Sequence, residues 1–325
     1  MPRYPRTGYI GVGKQTDKGT ATGPTHFVPY TDATNMSPEQ EIERVRFGAG
    51  AGAEFPAFAY KSQFRPDGEF ATFARPDITA LLFALLLGSD TVSGSGPYTH
   101  TIKPSAPGDL PWCSIEESIA GVVRRRIQDC RIQQITVRGE AGQPIVLEVA
   151  YLGITEAEVT ASTESYETDD PFMFWQGTYT LDGADISGVI TQFELTVQNI
   201  FDDGDQAADI VRADIPLIHR DLEGTVTVKF EDASWFKRAY YGGPSGTAPS
   251  PEVYKGGIHI SQTYGSGAGL RSLDIDIPSV GLISSVVELD PSSTDSQEYQ
   301  ISFGGLKGAD DFITVTVTNG KPTAY

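Results

Sequence analysis

Gly8-Tyr-Ile-Gly-Val-Gly13-Lys14 matches the first seven positions of a phosphate-binding loop, in which backbone amides cradle phosphates and a lysine adds charge. Gln15 stands where a magnesium-ligating hydroxyl belongs, no apolar strand precedes the glycines, and Lys18-Gly-Thr does not read as a following helix. The segment therefore reads as a flexible N-terminal stretch. Gly48-Ala-Gly-Ala-Gly52 lacks the parallel-sheet surroundings of a dinucleotide fingerprint. His26, His100, His219 and His259 are too scattered for a zinc site. Glu116-Glu117 and Asp169-Asp170, near Trp112 and Trp175, supply the residue types of a glycosidase, two carboxyl groups with aromatic platforms. Adjacency in sequence does not place two acids across a substrate, so solvated acids are expected. Asp202-Asp203-Gly-Asp205-Gln-Ala-Ala-Asp209 is acidic enough for calcium but lacks the spacing and distal Glu of an EF-hand loop. The expectation is no catalytic set, no cofactor and no metal.

Charge narrows the partners. The 325 residues carry 24 basic and 43 acidic side chains, a net −19. Residues 1–160 hold 15 basic and 18 acidic groups, and residues 161–325 hold 9 and 25. So acidic a second half repels phosphate backbones, leaving room only for a transient relation to DNA. Arg124, Arg125 and Arg126, close to Arg131 and Arg138, form the basic cluster. In so acidic a chain they are expected to meet an acidic patch on another subunit rather than a nucleic acid.

The longest apolar run, Ile78 to Leu87, is interrupted by Thr79 and is about half the length that a membrane-spanning helix needs, so no membrane association is expected. The N-terminus lacks the apolar core and cleavage site of a signal peptide, which predicts synthesis in the cytoplasm. Cys113 and Cys130 cannot organise a chain this long by disulfides and read as buried thiols.

The elements that position these residues are mostly strands. Phe193-Glu-Leu-Thr-Val, Val226-Thr-Val-Lys-Phe, Leu273-Asp-Ile-Asp-Ile, Tyr299-Gln-Ile-Ser-Phe and Ile313-Thr-Val-Thr-Val alternate apolar and polar residues, the period of half-buried antiparallel strands. Ile132 to Val137 and Ile145 to Tyr151 read likewise, with a hairpin turn at Gly139-Glu-Ala-Gly142. Two segments break the alternation and resemble each other. A strand beginning at Gly68 leads to an Asp77 N-cap, a helix over Ile78 to Leu87 and a Gly88 terminator. A strand beginning at Gly224 leads to an Asp232 cap, a helix over Ala233 to Tyr241 and a Gly242 stop. A Gly/Ser/Pro-rich loop and a histidine-bearing strand follow each helix.

This echo predicts a duplication, with a boundary between Tyr151 and Pro171 where apolar periodicity is lost. The expected division is an N-terminal arm over residues 1–25 and modules over 26–160 and 161–325. The fold class is mainly β, with two tandem β-sandwich or barrel-like modules, each with one flanking α-helix and its own core.

The ordering then resembles a specific family. The opening Gly-Tyr-Ile-Gly-Val-Gly-Lys-Gln-Thr-Asp-Lys-Gly-Thr, the Gly-strand-Asp-helix-Gly unit and Pro111-Trp-Cys-Ser-Ile-Glu-Glu come first. Phe174-Trp-Gln-Gly-Thr-Tyr-Thr-Leu-Asp-Gly, leading into Phe193-Glu-Leu-Thr-Val-Gln-Asn199, and Ile275-Asp-Ile-Pro278 complete it. Together they resemble the tail tube proteins of long-tailed bacteriophages, over nearly the whole chain. The resemblance implies a structural virion protein, not an enzyme, that stacks as rings into the hollow tail tube through which DNA passes from capsid to host. It also implies tail terminator, tape-measure and baseplate or tip proteins as partners, and a non-contractile tail. Family rings usually hold six modules, so two modules per chain imply three chains in a pseudo-sixfold ring. An N-terminal arm carrying Tyr4, Tyr9, Ile10 and Lys14, with Gly48 to Tyr60 and the tail from Asn319, is expected to join successive rings. The rival classes are a carbohydrate-binding or adhesion protein using Trp112, Trp175 and Trp235 as sugar platforms, and a hydrolase with converging acids.

Overall fold

A computed structural model describes residues 8–32, 39–46, 58–119, 121–202, 204, 209–229, 233–287, 297–308 and 311–325. The first half runs through β1 (Tyr9–Lys14), β2 (His26–Val28), β3 (Tyr30–Asp32), β4 (Glu39–Val45), β5 (Phe58–Arg65), β6 (Gly68–Phe73) and α1 (Pro76–Leu87). It continues with β7 (Gly88–Ser93), β8 (Tyr98–Pro104), β9 (Cys113–Ile119), β10 (Val123–Glu140), β11 (Val146–Leu152) and β12 (Thr155–Glu158). The second half holds β13 (Gly177–Leu181), β14 (Ala184–Asp185), β15 (Ile190–Phe201), β16 (Leu217–Lys229) and α2 (Ser234–Tyr241). Then come β17 (Lys255–Tyr264), β18 (Arg271–Val287), β19 (Glu298–Gly305) and β20 (Thr314–Asn319). The protein is mainly β, and its named strands pair antiparallel.

Eight strands lie side by side in the order β3-β6-β11-β10-β15-β16-β19-β18. Four come from each half, and the halves meet where Gln134–Glu140 of β10 pairs with Gln192–Gln198 of β15. Two strands are long enough to serve a second layer. The first part of β10 pairs with β9 and β12, and its later part with β11 and β15. Likewise β18 pairs first with β17 and β20, then with β19.

The pairings of one half thus correspond to those of the other. β1 beside β9 answers to β13 beside β17, β3 beside β6 to β15 beside β16, and β12 on β10 to β20 on β18. The helix-preceding strand pairs with its partner in the same way in both. Gly68 faces Tyr151 across β6 and β11, and Gly224 faces Phe303 across β16 and β19. A Cβ on Gly68 would lie 2.5 Å from the Tyr151 hydroxyl, and one on Gly224 would strike the Phe303 ring. In each half an aromatic ring covers a bare glycine backbone. The ribbon β4–β5 and the hairpin β7–β8 are additions to the first half.

One core, not two, fills the space between the layers. A single hydrophobic cluster contains Ile10, Phe83, Val137, Phe193, Ile275 and Val317. The reason is α1, whose residues other than Asp77 are all buried. It packs against β8 and β10 of its own half and β18 and β20 of the other. A helix apolar all round belongs in such a place. Gly88 ends it in the left-handed conformation, φ 106°, and Gly242 does the same for α2, φ 71°. Asp77 does not cap α1: Arg75 holds the N-cap position, and the Glu167 carboxylate accepts the amides of Asp77 (2.8 Å) and Ile78 (3.1 Å). Asp232 lies outside the described residues, and Ala233 holds the N-cap of α2.

Candidate assembly surfaces

One face of the eight-stranded sheet packs on the core, and strand alternation sends the other to solvent. The outward positions include Glu69, Gln134, Thr136, Arg138, Glu140 and Glu148 from the first half. Gln192, Glu194, Thr196, Gln198, Asp221, Glu223, Lys229 and Glu298 continue the face in the second. Seven acids among these positions stand against Arg138 and Lys229, and Gln134, Thr136, Gln192, Thr196 and Gln198 supply neutral amides and hydroxyls. Arg138 is itself held between Glu148 (2.5 Å) and Glu194 (2.9 Å), on strands flanking its own. Among the described residues, the sheet stops at β3 on one side and at β18 on the other. β3 pairs on one side with β6, and past Gly281 the described partner of β18 is β19 alone.

Arg124, Arg125 and Arg126 lie on β10, facing β9 and β12 of their own chain. Arg125 pairs with Glu117 (2.8 Å) and Glu156 (3.0 Å), and Arg126 with Glu116 (2.7 Å). Arg124 donates to the Gly121 carbonyl at 3.0 Å. The acids expected from another subunit are thus met within the chain by Arg125 and Arg126, because β9 brings Glu116 and Glu117 directly opposite. Those two glutamates sit on opposite faces of β9, so they do not converge on a substrate. Glu116 accepts from Tyr9 (2.6 Å) and Glu117 from Tyr151 (2.6 Å). Burial alone would raise the Glu116 carboxyl, but the Tyr9 hydroxyl and Arg126 outweigh it and hold it low. Burial wins at Glu117, which stays raised despite Arg125.

Three residues of the expected arm lie in a strand of the sheet. Tyr9 and Ile10 are buried in β1, which lies between β2 and β9, and Lys14 ends the same strand with its amine on the Tyr325 carbonyl (2.5 Å). Tyr4 lies outside the described residues, as do positions 48–57. Gly11 and Gly13 serve close packing, since a Cβ on either would collide with Pro24 or the Gly23 carbonyl. Gln15 brackets Asp129, accepting its amide (3.0 Å) and donating to its carboxylate (2.9 Å). Asp129 has φ 53° and marks the point where β10 passes between layers.

The tail from Asn319 is also held in the chain. Tyr325 is buried: its hydroxyl accepts from Asn319 (2.8 Å) and donates to Asp77 (3.2 Å), and its amide donates to Asp90 (2.9 Å). His100 is buried against Asp90 (2.9 Å), and burial, with Lys321 nearby, takes His26 down to about 4. Arg131 lies 4.1 Å over the Trp112 ring and Arg238 4.3 Å over Trp235, while Trp175 is 70% exposed. Asp169 is paired with Arg271 at 2.6 Å. Cys113 and Cys130 are buried and free, with the Cys130 thiol pushed well up by burial. Asp203 and Asp205 fall outside the described residues, among which no group of three or more His, Cys, Asp or Glu is set to hold a metal. No described helix is long and apolar enough to cross a membrane.

Glu167, Gln15 and Tyr325 emerge as organising residues that sequence spacing did not single out, since each acts on a partner at least 89 positions away. Antiparallel sheets over one core, ion pairs between Arg125, Arg126 and buried glutamates, and an extended polar face define a mainly β protein. The profile of a family described as phage tail tube protein matches residues 5–318, and the chain belongs to that family. It is a structural component of the phage tail tube. A search of curated proteins finds no match to it.

Proposed function

We propose that three copies of this chain close into a pseudo-sixfold ring, and that stacked rings make the conduit through which DNA travels from capsid to host. The carrying observation is the doubled pairing order, with β10 joined to β15 between the halves and the equivalent strands, β18 and β3, open at the two ends. Repeating the internal joint between chains pairs the end of β18 with β3 of the next copy, and three chains bring twenty-four strands into one wall. The halves, about residues 26–160 and 161–325, act as two copies of one module, with β1 serving the first as β13 serves the second.

The polar face of the sheet then lines the lumen. Its excess of carboxylates repels phosphates, so DNA slides without lasting contacts. Arg124, Arg125 and Arg126 support subunit contacts by holding β9, β10 and β12 as one edge. Residues 1–7 and the ribbon β4–β5, whose Ile42, Phe58 and Tyr60 are exposed, join one ring to the next. The tail terminator, tape-measure and baseplate or tip proteins complete the assembly, which begins from subunits made in the host cytoplasm. Native mass spectrometry of isolated rings tests the count: three chains per ring are expected, and six would refute it.

A further inference from the structure

The two helices occupy equivalent places but unequal surroundings. In α1 eleven of twelve residues are buried, whereas none in α2 is, and Tyr240 is 44% exposed. α1 is enclosed because the second half lays β18 and β20 against it. α2 packs chiefly on β18 of its own half. The same asymmetry appears at the strand edges. β20 is paired on its outer side by β8, a strand of the preceding half, whereas β12, its equivalent, is paired by β10 alone among the described residues. Beside β12, the turn between β9 and β10 exposes Ile119, Val122 and Val123. A helix left half-buried, and a strand edge with an apolar tip that no described strand covers, are what one intrachain joint leaves unmatched.

We infer that the outer face of α2, with the loop 243–254 behind it, seats the β12 edge and the β9–β10 turn of a second copy, as α1 and β8 seat β20 within the chain. The direction agrees with the sheet joint: the first half reaches the second through both β10–β15 and β8–β20, so the second half reaches the next chain through both layers. Charge is complementary, with Lys237 on α2 and Glu158 on β12. The inference rests on the ring proposed above and adds an outer contact to it.

Paired thiols test it. Tyr240→Cys and Glu158→Cys are introduced together, and assembled tubes are treated with a short bifunctional thiol cross-linker; Cys113 and Cys130 are buried and do not compete. The double variant is expected to run as covalent dimers and trimers on denaturing gels, while each single variant stays monomeric. Lys237→Cys with Ala157→Cys provides a second pair, should the first disturb assembly. Rings of three whose double variants remain monomeric would overturn this contact and leave the ring standing. Wild-type protein that makes no ring would overturn both.

Discussion

Glu167 is a carboxylate placed where a helix needs an anion. Burial, with Asp77 and Asp169 nearby, pushes it up to about 7 even though two helix amides hold its charged form. Arg75, Arg271, Lys321, Tyr264 and Tyr325 also face this cluster. Its native pKa is raised above the unfolded one, so its contribution to stability is complete below about 4.5 and is lost as pH rises through 7. Glu167→Gln keeps one acceptor and removes the titration. The variant should melt above wild type at pH 8 and show a flatter pH dependence, by roughly 2–3 kcal/mol between pH 5 and 8. Thermal melts across that range check it, and an unchanged slope would contradict it. Arg125 gives the opposite lesson. Arg125→Ser leaves Glu117 buried without its cation and should cost about 3–5 kcal/mol in denaturant titration, whereas Arg124→Ser should stay within about 0.5 kcal/mol.

Elements show where sequence patterning reads well and where it stops. The alternating strands and both helices were legible because period 2 and the apolar run at Ile78 to Leu87 reflect burial directly. The strand over Tyr9 to Lys14 was not, because Gly11 and Gly13 interrupt the expected apolar alternation, and they are there to let Pro24 and Gly23 approach. Nor was the cap of α1 legible, since Asp77 imitates the local signal while Glu167 performs the task from 90 positions away. The buried acids had the same ambiguity: Glu116 and Glu117 look solvated until β10 brings arginines opposite them. The placement of β1 changes what a truncation does. Removing residues 1–25 strips β9 of a full-length partner and should give insoluble protein. Removing residues 1–7 should preserve the wild-type melt while blocking growth from rings to tubes, as read by electron microscopy. Normal tube growth without residues 1–7 would contradict their role between rings.

Across the whole molecule, a single core joins the two halves. α1 is buried by strands of both halves, the sheet continues through β10 and β15, and Tyr325 fastens the second half back onto α1 and β7. The halves cannot hinge without exposing apolar surface, and the proposed conduit needs that rigidity to keep its lumen open. The outward face of the sheet carries seven acids against two cations at the positions named above, and its glutamates, glutamines and threonines alternate with core residues. The most direct test is a three-dimensional reconstruction of assembled tubes that resolves strands. The expected result is three chains per ring and an unbroken wall in which the end of β18 pairs antiparallel with β3 of the next chain, as β10 pairs with β15. A ring of six whole chains, or a joint at which β18 and β3 remain apart, would contradict it.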